Sequence, residues 1–179
     1  MSTPTLLGIS GALRTGSTNT MLLREAARLF GDCRYIQADL RLPLYDGDAE
    51  AQDGIPAAVT TLAQQIAQAD AVILSTPEYN KGPSGVLKNA LDWVSRVDGN
   101  PWADKPLAVM SAAAGRAGGE RAQMVLRGFM VPFRPRILQG PEIHLAGSGS
   151  AFDETGQLTS DIYTRELGQL MQALRAMVA

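Results

Sequence analysis

Two stretches of this chain are apolar without interruption: Ala71-Val72-Ile73-Leu74 and Leu107-Ala108-Val109-Met110. Neither alternates with polar residues, so neither can turn one face to water; such a strand has to be covered on both sides. Leu6-Leu7-Gly8-Ile9 is a third short apolar run. Strands covered on both faces belong to parallel sheets, and parallel neighbours need a long crossover between them, usually a helix. Helical spacing is found between the runs. Leu22, Ala26 and Leu29 or Phe30 share one face of 18–30, which Gly31-Asp32 stops. Val59, Leu62, Ala63 and Ile66 form the stripe of 56–69, with Pro56 suited to a first helical turn. Leu87, Ala90, Leu91 and Val94 mark a third helix, and Ala122, Val125, Leu126 and Phe129 a fourth that Pro132 and Pro135 end. Leu167, Leu170, Leu174 and Met177 are the expected buried face of a last helix over 160–177.

Residues 33–38, with Tyr35 and Ile36, read as a second strand, and 136–138 with 142–145 as an interrupted fifth. Residues 39–56 are polar, carry Pro43, Asp46-Gly47 and Asp53-Gly54, and read as an excursion before the next helix, with its acids on a solvated surface. Strand and helix thus alternate about five times. Right-handed crossovers then predict an α/β fold: a doubly wound, five-stranded parallel sheet of order 2-1-3-4-5, with helices on both faces. At 179 residues the whole chain, 1–179, is expected to be one domain. In that strand order the winding reverses between strands one and three, and ligands bind there, beyond the carboxyl ends of the strands. The loops leaving strands one, three and four are 10–19, 76–85 and 111–119. These are also the three loops of unusual composition.

The bulk numbers exclude several classes. A net charge of −2 argues against nucleic-acid binding, which needs a basic excess. One cysteine, Cys33, excludes an intramolecular disulfide and suits a reducing compartment. No apolar run approaches the ~20 residues that span a bilayer. Residues 1–5 lack a basic segment followed by an apolar one, so no signal peptide is expected. A cytoplasmic enzyme or binding domain, off the membrane, is the expectation.

The first loop, Ser10-Gly11-Ala12-Leu13-Arg14-Thr15-Gly16-Ser17-Thr18-Asn19, joins a strand to a helix. Helix N–H groups and the positive helix end both face such a loop. Ser10, Ser17, Thr18 and Asn19 add side-chain donors, and Arg14 adds a fork of fixed charge. Gly8, Gly11 and Gly16 lack the dinucleotide spacing G-x-G-x-x-G, and no lysine precedes Lys81 to make a triphosphate loop. A phosphatase cradle would need its cysteine inside the loop. A hydroxyl-and-amide cradle with one arginine suits a terminal phosphate monoester held without metal, as in a flavin mononucleotide. The plainer alternative is a small-residue loop ending in an ordinary helix cap.

The second loop holds Pro77-Glu78-Tyr79-Asn80. Its backbone groups suit the donor and acceptor edge of a flat heterocycle; Asn80 both donates and accepts, and Tyr79 can wall the pocket. Glu78 is expected to orient neighbouring loop amides and is given no acid chemistry. An Asn/Gly/Pro turn capped by Ser84 is the alternative. The third loop, Ala112-Ala113-Ala114-Gly115-Arg116-Ala117-Gly118-Gly119, lacks bulk, which lets backbone approach a ligand and leaves one face of a flat cofactor open. Arg116 is placed to meet the phosphate of an incoming nucleotide or, equally, to be a solvated arginine. His144, the only histidine, has no Cys or His partner nearby, so no metal site is expected; it belongs in the last strand or its turn. Cys33 reads as a small buried residue, and Trp93, Trp102, Met124, Met130, Met171 and Met177 as core.

Pro77-Glu78-Tyr79-Asn80 followed by Gly85-Val86-Leu87-Lys88-Asn89-Ala90-Leu91-Asp92-Trp93 closely resembles the signature of the NADPH-dependent FMN reductase family, which includes quinone and chromate reductases and related azoreductases. The likeness extends to Gly11-Ala12-Leu13-Arg14, Gly16-Ser17-Thr18-Asn19, Gly118-Gly119-Glu120-Arg121-Ala122-Gln123 and Phe152-Asp153-Glu154-Thr155-Gly156, and so covers nearly the whole chain. It departs at Lys81-Gly82, at the expected substrate mouth, and at Ala113-Ala114-Gly115-Arg116. The resemblance implies a flavodoxin-like fold, FMN bound without covalent attachment, and a homodimer or homotetramer. It implies that Ser10, Arg14, Ser17 and Asn19 hold the FMN phosphate. It further implies that Pro77, Glu78, Tyr79 and Asn80 line the isoalloxazine, with Ser111, Gly115 and Gly118 nearby. The implied activity is a ping-pong hydride relay from NADPH or NADH through the flavin to a quinone or a similar small acceptor such as free flavin, an azo dye or chromate. The flavin carries the chemistry, so no catalytic side chain is required, and none is evident. The rival is a non-enzymatic electron carrier of flavodoxin type; such carriers tend to be strongly acidic, which a charge of −2 does not match.

Overall fold

The structure is a computed structural model and describes residues 3–178. Met1 and Ser2, part of the stretch read above for a signal peptide, lie outside the described residues.

The three apolar runs are the central strands β1 (Thr5–Ser10), β3 (Ala71–Thr76) and β4 (Pro106–Ala112). With β2 (Arg34–Gln37) and β5 (Arg136–Ile137) they form a parallel sheet of order β2-β1-β3-β4-β5, as expected. A sixth strand, β6 (Ile143–Leu145), also pairs parallel with β4, through Met110, Ser111 and Ala112. β5 and β6 are thus the two pieces of the interrupted fifth strand. Pro141 lies in the gap between them, and a proline has no N–H to give a sheet ladder.

Alternate strand residues face opposite layers. Leu7, Ile9, Val72, Leu74, Leu107 and Val109 meet α3 (Ala57–Gln68), α4 (Gly85–Val94) and α5 (Glu120–Met130) through Leu62, Ile66, Leu91, Leu126 and Met130. Leu6, Ile73, Ala108, Met110 and Ile143 meet α1 (Thr18–Phe30) and α6 (Asp161–Ala176) through Leu22, Leu23, Ala26, Leu167 and Leu170. Both faces of the central strands are therefore dry, which is why their sequences show no alternation. Each fully buried Leu or Val side chain contributes about 1.5–3 kcal/mol.

The excursion contains a helix the sequence does not announce, α2 (Gly47–Asp53). It buries no residue, so it carries no apolar period to read. Asp46 caps it, accepting from the Asp48 N–H at 2.9 Å, and Glu50 pairs with Arg96 at 3.0 Å. Asp39, Asp46, Asp48 and Asp53 are exposed, as expected of the acids here, while the segment before the helix is docked: the Pro43 carbonyl accepts from Trp93 Nε1 at 2.8 Å and from Asn89 at 2.9 Å, and Leu40 is buried. In α5 the expected stripe is corrected. Met124 is 73% exposed and Val125 also faces solvent, while Ala122, Gln123, Leu126 and Met130 face the sheet. Met130, Met171, Trp93 and Trp102 are core, Met177 packs at its edge, and Cys33 is half-buried. His144 lies in β6.

Candidate functional site

The loops leaving β1, β3 and β4 meet at the carboxyl edge of the sheet and enclose a crevice of about 380 Å³. Arg14, Ser17, Thr18, Asn19, Pro77, Glu78, Tyr79, Gly115 and Gly118 line it. Ser10, Asn80 and Ser111 do not.

The first two loops are tied together at Gly11. Its N–H donates to the Ser75 carbonyl at 2.8 Å, and its carbonyl accepts from Ser84 Oγ at 2.6 Å. Ser84 also caps α4, accepting from the Leu87 N–H at 3.3 Å. A Cβ at Gly11 would lie 3.0 Å from that hydroxyl, so a larger residue would push the two loops apart here. Ser84, posed above as the cap of a plain turn, thus caps α4 and at the same time ties the second loop to the first.

At the start of α1 the donors are free. Ser17 is the N-cap residue, yet its side chain makes no capping bond, and no acidic residue stands in the first turn. The first-turn N–H groups and the positive helix end thus remain without a negative partner from the protein. Arg14 is exposed and makes no hydrogen bond or ion pair among the described residues. Thr18 Oγ1 donates to Ser148 Oγ at 3.1 Å.

Two other first-loop side chains are engaged elsewhere. Asn19, 3% exposed, brackets two strand ends: its Nδ2 donates to the Ala112 carbonyl at 3.0 Å, and its Oδ1 accepts from the Ala112 N–H at 3.0 Å and from Ser75 Oγ at 2.8 Å. Ser10 Oγ accepts from Thr20 Oγ1 at 3.0 Å and from the Ala12 N–H at 3.3 Å, facing a neighbouring cavity.

In the second loop, Tyr79 and Gly82 exchange backbone hydrogen bonds of 2.9 and 3.1 Å around Asn80 (φ 50°) and Lys81 (φ 65°). Two positive φ values at the centre make a type I′ turn. Asn80 therefore stands at an exposed tip, and Tyr79, 56% exposed, flanks the mouth. Glu78 turns back to α5, where the cap residue Gly119 has no side chain: its Oε2 accepts from the Ala122 N–H at 3.3 Å, and its Oε1 lies 4.0 Å from Arg121 Nη1. A carboxylate on a helix N-terminus is favourable, and here it joins the second loop to the first turn of α5 rather than to the amides of its own loop.

The third loop presents Ala113, Ala114, Gly115 and Ala117 to the crevice. Gly115 has open space around its Cβ position, as a close approach to a ligand requires. The two following glycines are needed for a different reason. Gly118 (φ +59°) lies against the His144 carbonyl, and a Cβ at Gly119 (φ +92°) would come 2.7 Å from Ser111 Cβ. Ser111 stands behind this wall, its Oγ donating to the Gly118 carbonyl at 2.6 Å and accepting from Gln123 Nε2 at 2.8 Å. Ser148, in a 3-10 turn over Ser148–Ser150, and Gln123 complete the site's support. No local period marks either one; their partners are distant in the chain. Arg116 and Lys81 stand at the rim without a salt-bridge partner among the described residues. There, too, no group of three or more His, Cys, Asp or Glu is placed to hold a metal, and no helix is long and apolar enough to cross a membrane.

Residues 4–148 match the family model described as NADPH-dependent FMN reductase. An NAD(P)H-dependent FMN reductase of Pseudomonas aeruginosa is 43% identical over 175 residues, 97% of this chain and 94% of that protein. The quinone reductase of Escherichia coli K12 is 40% identical over 135 residues, 74% of this chain and 72% of its own. Among solved structures, the flavoenzyme NAD(P)H:(acceptor) oxidoreductase FerB of Paracoccus denitrificans superposes with a TM-score of 0.87 at 29% identity, covering 98% of this chain and 97% of that one. An archaeal flavodoxin at 9% identity and a TM-score of 0.63 shares the fold.

Proposed function

The chain belongs to the NADPH-dependent FMN reductase family, a flavin-dependent NAD(P)H oxidoreductase of flavodoxin-like fold, and from that premise we propose that its crevice holds FMN by the residues described above. The whole chain, 1–179, then serves as a single FMN-binding domain. The observation that carries this reading is the N-terminus of α1, uncapped and free of acidic residues, opening beside an unpaired Arg14 into a crevice walled by small residues. That donor set fits a phosphate monoester: N–H groups and a helix dipole for charge, a guanidinium fork for geometry, hydroxyls for the remaining oxygens.

Arg14, Ser17 and Thr18 make the phosphate end directly; Ser10 and Asn19 serve it by holding the loop. Pro77, Glu78 and Tyr79 would wall the ring end, where backbone N–H groups would offset negative charge on a reduced ring. Gly115 would leave room for the ring, Gly118 and Ser111 set the wall behind the third loop, and Asn80 fixes the turn at the mouth. Bound FMN supplies the two-electron relay between a reduced nicotinamide nucleotide and a small acceptor such as a quinone, free flavin, an azo dye or chromate. The protein leaves one side of the crevice open, so donor and acceptor can use it in turn. No side chain here is required as acid or base.

We also place the protein in the cytoplasm as a homodimer or homotetramer. A free Cys33 and the reduced nicotinamide substrate suit a reducing compartment. Exposed Met124, Val125 and Val131, beside a groove between α4 and α5 lined by Leu91, Phe129 and Phe133, offer apolar surface for a second copy. Light scattering on purified protein reads the assembly.

The test of the reading is direct. Purified protein should carry or take up FMN with a yellow flavin spectrum and oxidise NADPH rapidly with a quinone. Arg14→Ala should weaken FMN retention about tenfold or more, the loss of one charge-assisted contact of about 1.5–3 kcal/mol. A protein that no added FMN turns yellow, or an Arg14→Ala variant that retains FMN as tightly as wild type, would refute it.

A further inference from the structure

Across the first loop from the crevice lies a second cavity of about 450 Å³. Three elements bring arginines to it: Arg14 from the first loop, Arg24 from α1, and Arg41 from the segment after β2. Asp39 is the only carboxylate in its lining, so the lining carries three positive charges against one negative, a local balance of +2 on a chain of net −2. Such a local field opposes the average of the molecule and draws anions to this side of the first loop.

The three guanidiniums are not equivalent. Arg41 is held: Nη1 lies 3.1 Å from Asp39 Oδ1, and Nη2 donates to the Leu13 carbonyl at 3.0 Å, which ties it to the outer side of the first loop. Arg24 makes no hydrogen bond or ion pair among the described residues. It lies one helical turn from Thr20, whose hydroxyl meets Ser10 on the same side of α1. Apolar surface from Leu13 and Met21 adjoins the charges. Ala12, Arg14 and Ser17 line both cavities, so a ligand lying over the first loop touches each.

We propose that this cavity takes the adenosine end of the nicotinamide nucleotide, with Arg24 and Arg41 gripping its 2′-phosphate, and so makes the enzyme prefer NADPH to NADH. The inference rests on the FMN reading of the neighbouring crevice, since that fixes where the nicotinamide must go. Its chemistry is the match between a dianionic phosphomonoester, a group NADH lacks, and guanidiniums that line one cavity. The apolar patch beside them suits the adenine ring.

Arg24→Ala is the primary variant, because Arg24 has no internal partner whose loss would disturb the fold; Arg41→Lys is the second. Steady-state kinetics with each nucleotide and isothermal titration with adenosine 2′,5′-bisphosphate are the readouts. The expected result is a KM for NADPH raised about tenfold in Arg24→Ala, with kcat and the KM for NADH unchanged, and binding of the bisphosphate weakened by a similar factor. Wild type should bind the bisphosphate far better than adenosine 5′-monophosphate. Three results would overturn the proposal: an unchanged NADPH-to-NADH preference in both variants, wild type indifferent between the two nucleotides, or inorganic phosphate displacing the bisphosphate at equal concentration, which marks a plain anion site. Failure of the FMN reading looks different, because a protein without flavin oxidises neither nucleotide, while the titration still reports on the cavity.

Discussion

Asn19→Ala separates two roles that a polar residue at the start of α1 can have. In the structure Asn19 is a bracket: one amide joins α1 to the ends of β3 and β4 through Ser75 Oγ and both backbone groups of Ala112. Truncation leaves three buried polar groups without their partner. Each such group costs about 1–3 kcal/mol when left unpaired. The Ser75 hydroxyl can rotate, and water can enter from the crevice that Asn19 borders, so the sum falls near the low end, about 3 kcal/mol. For a chain of this size that is a fall of about 6–12 °C in melting temperature. The assay is thermal and urea denaturation of flavin-free protein, followed by FMN titration. The flavin-free variant should melt earlier by that amount, and its FMN affinity should fall as well, because the first and third loops lose their registration. Asn19→Asp should lose comparable stability, since it keeps the two bonds to Oδ1 but sets an oxygen against the Ala112 carbonyl. A flavin-free Asn19→Ala protein within 2 °C of wild type that nevertheless loses FMN would refute the bracket and make Asn19 a direct phosphate ligand.

Two further substitutions test the rest of the structure. Gly118→Ala must place a Cβ against the His144 carbonyl at a left-handed φ and should cost at least about 2 kcal/mol in urea unfolding, whereas Gly115→Ala, with open space at its Cβ, should change stability by less than about 0.5 kcal/mol and act on FMN binding instead. Equal stability effects at the two positions would contradict the division between a packing glycine and a ligand-facing one. Burial against β1 pushes the Tyr35 hydroxyl up to about 12 from its ordinary value of 10. The neutral form is thus favoured in the folded chain, a contribution present in full below pH 10 and lost as pH rises through 12. At pH 11 the loss amounts to about 1.4 kcal/mol. Denaturation midpoints between pH 9 and 11 should fall by that much more for wild type than for Tyr35→Phe; parallel pH profiles would sink the assignment.

What could be read from the residues, and what could not, divides along a physical line. Ala71–Leu74 and Leu107–Met110 are legible because burial on both faces leaves a continuous apolar run, and the composition of the three loops follows from their place at the switch point. Helix α2 is illegible because a helix that buries nothing has no period. Met124 and Val125 mislead because apolar residues on an exposed helix face look the same in sequence as core.

The site is subtler. Ser10, Ser17, Asn19, Glu78 and Ser111 all offer polar groups at the right loops, and nothing in their chemistry distinguishes a donor committed to the protein from one left free. The partner decides, and the partners are far away in the chain: Ala112 for Asn19, the α5 N-terminus for Glu78, Gln123 for Ser111. Once those bonds are drawn, three loops are pinned to one another by their own polar side chains, and the groups that remain uncommitted are Arg14, the Ser17 hydroxyl and the first-turn N–H groups of α1. A phosphate bound there meets donors that are already held in place by their neighbours, so little ordering has to accompany its arrival. The same rigidity explains why the loop can serve two cavities at once: Gly11 and Asn19 anchor its two ends, and Arg14 stands on the ridge between them.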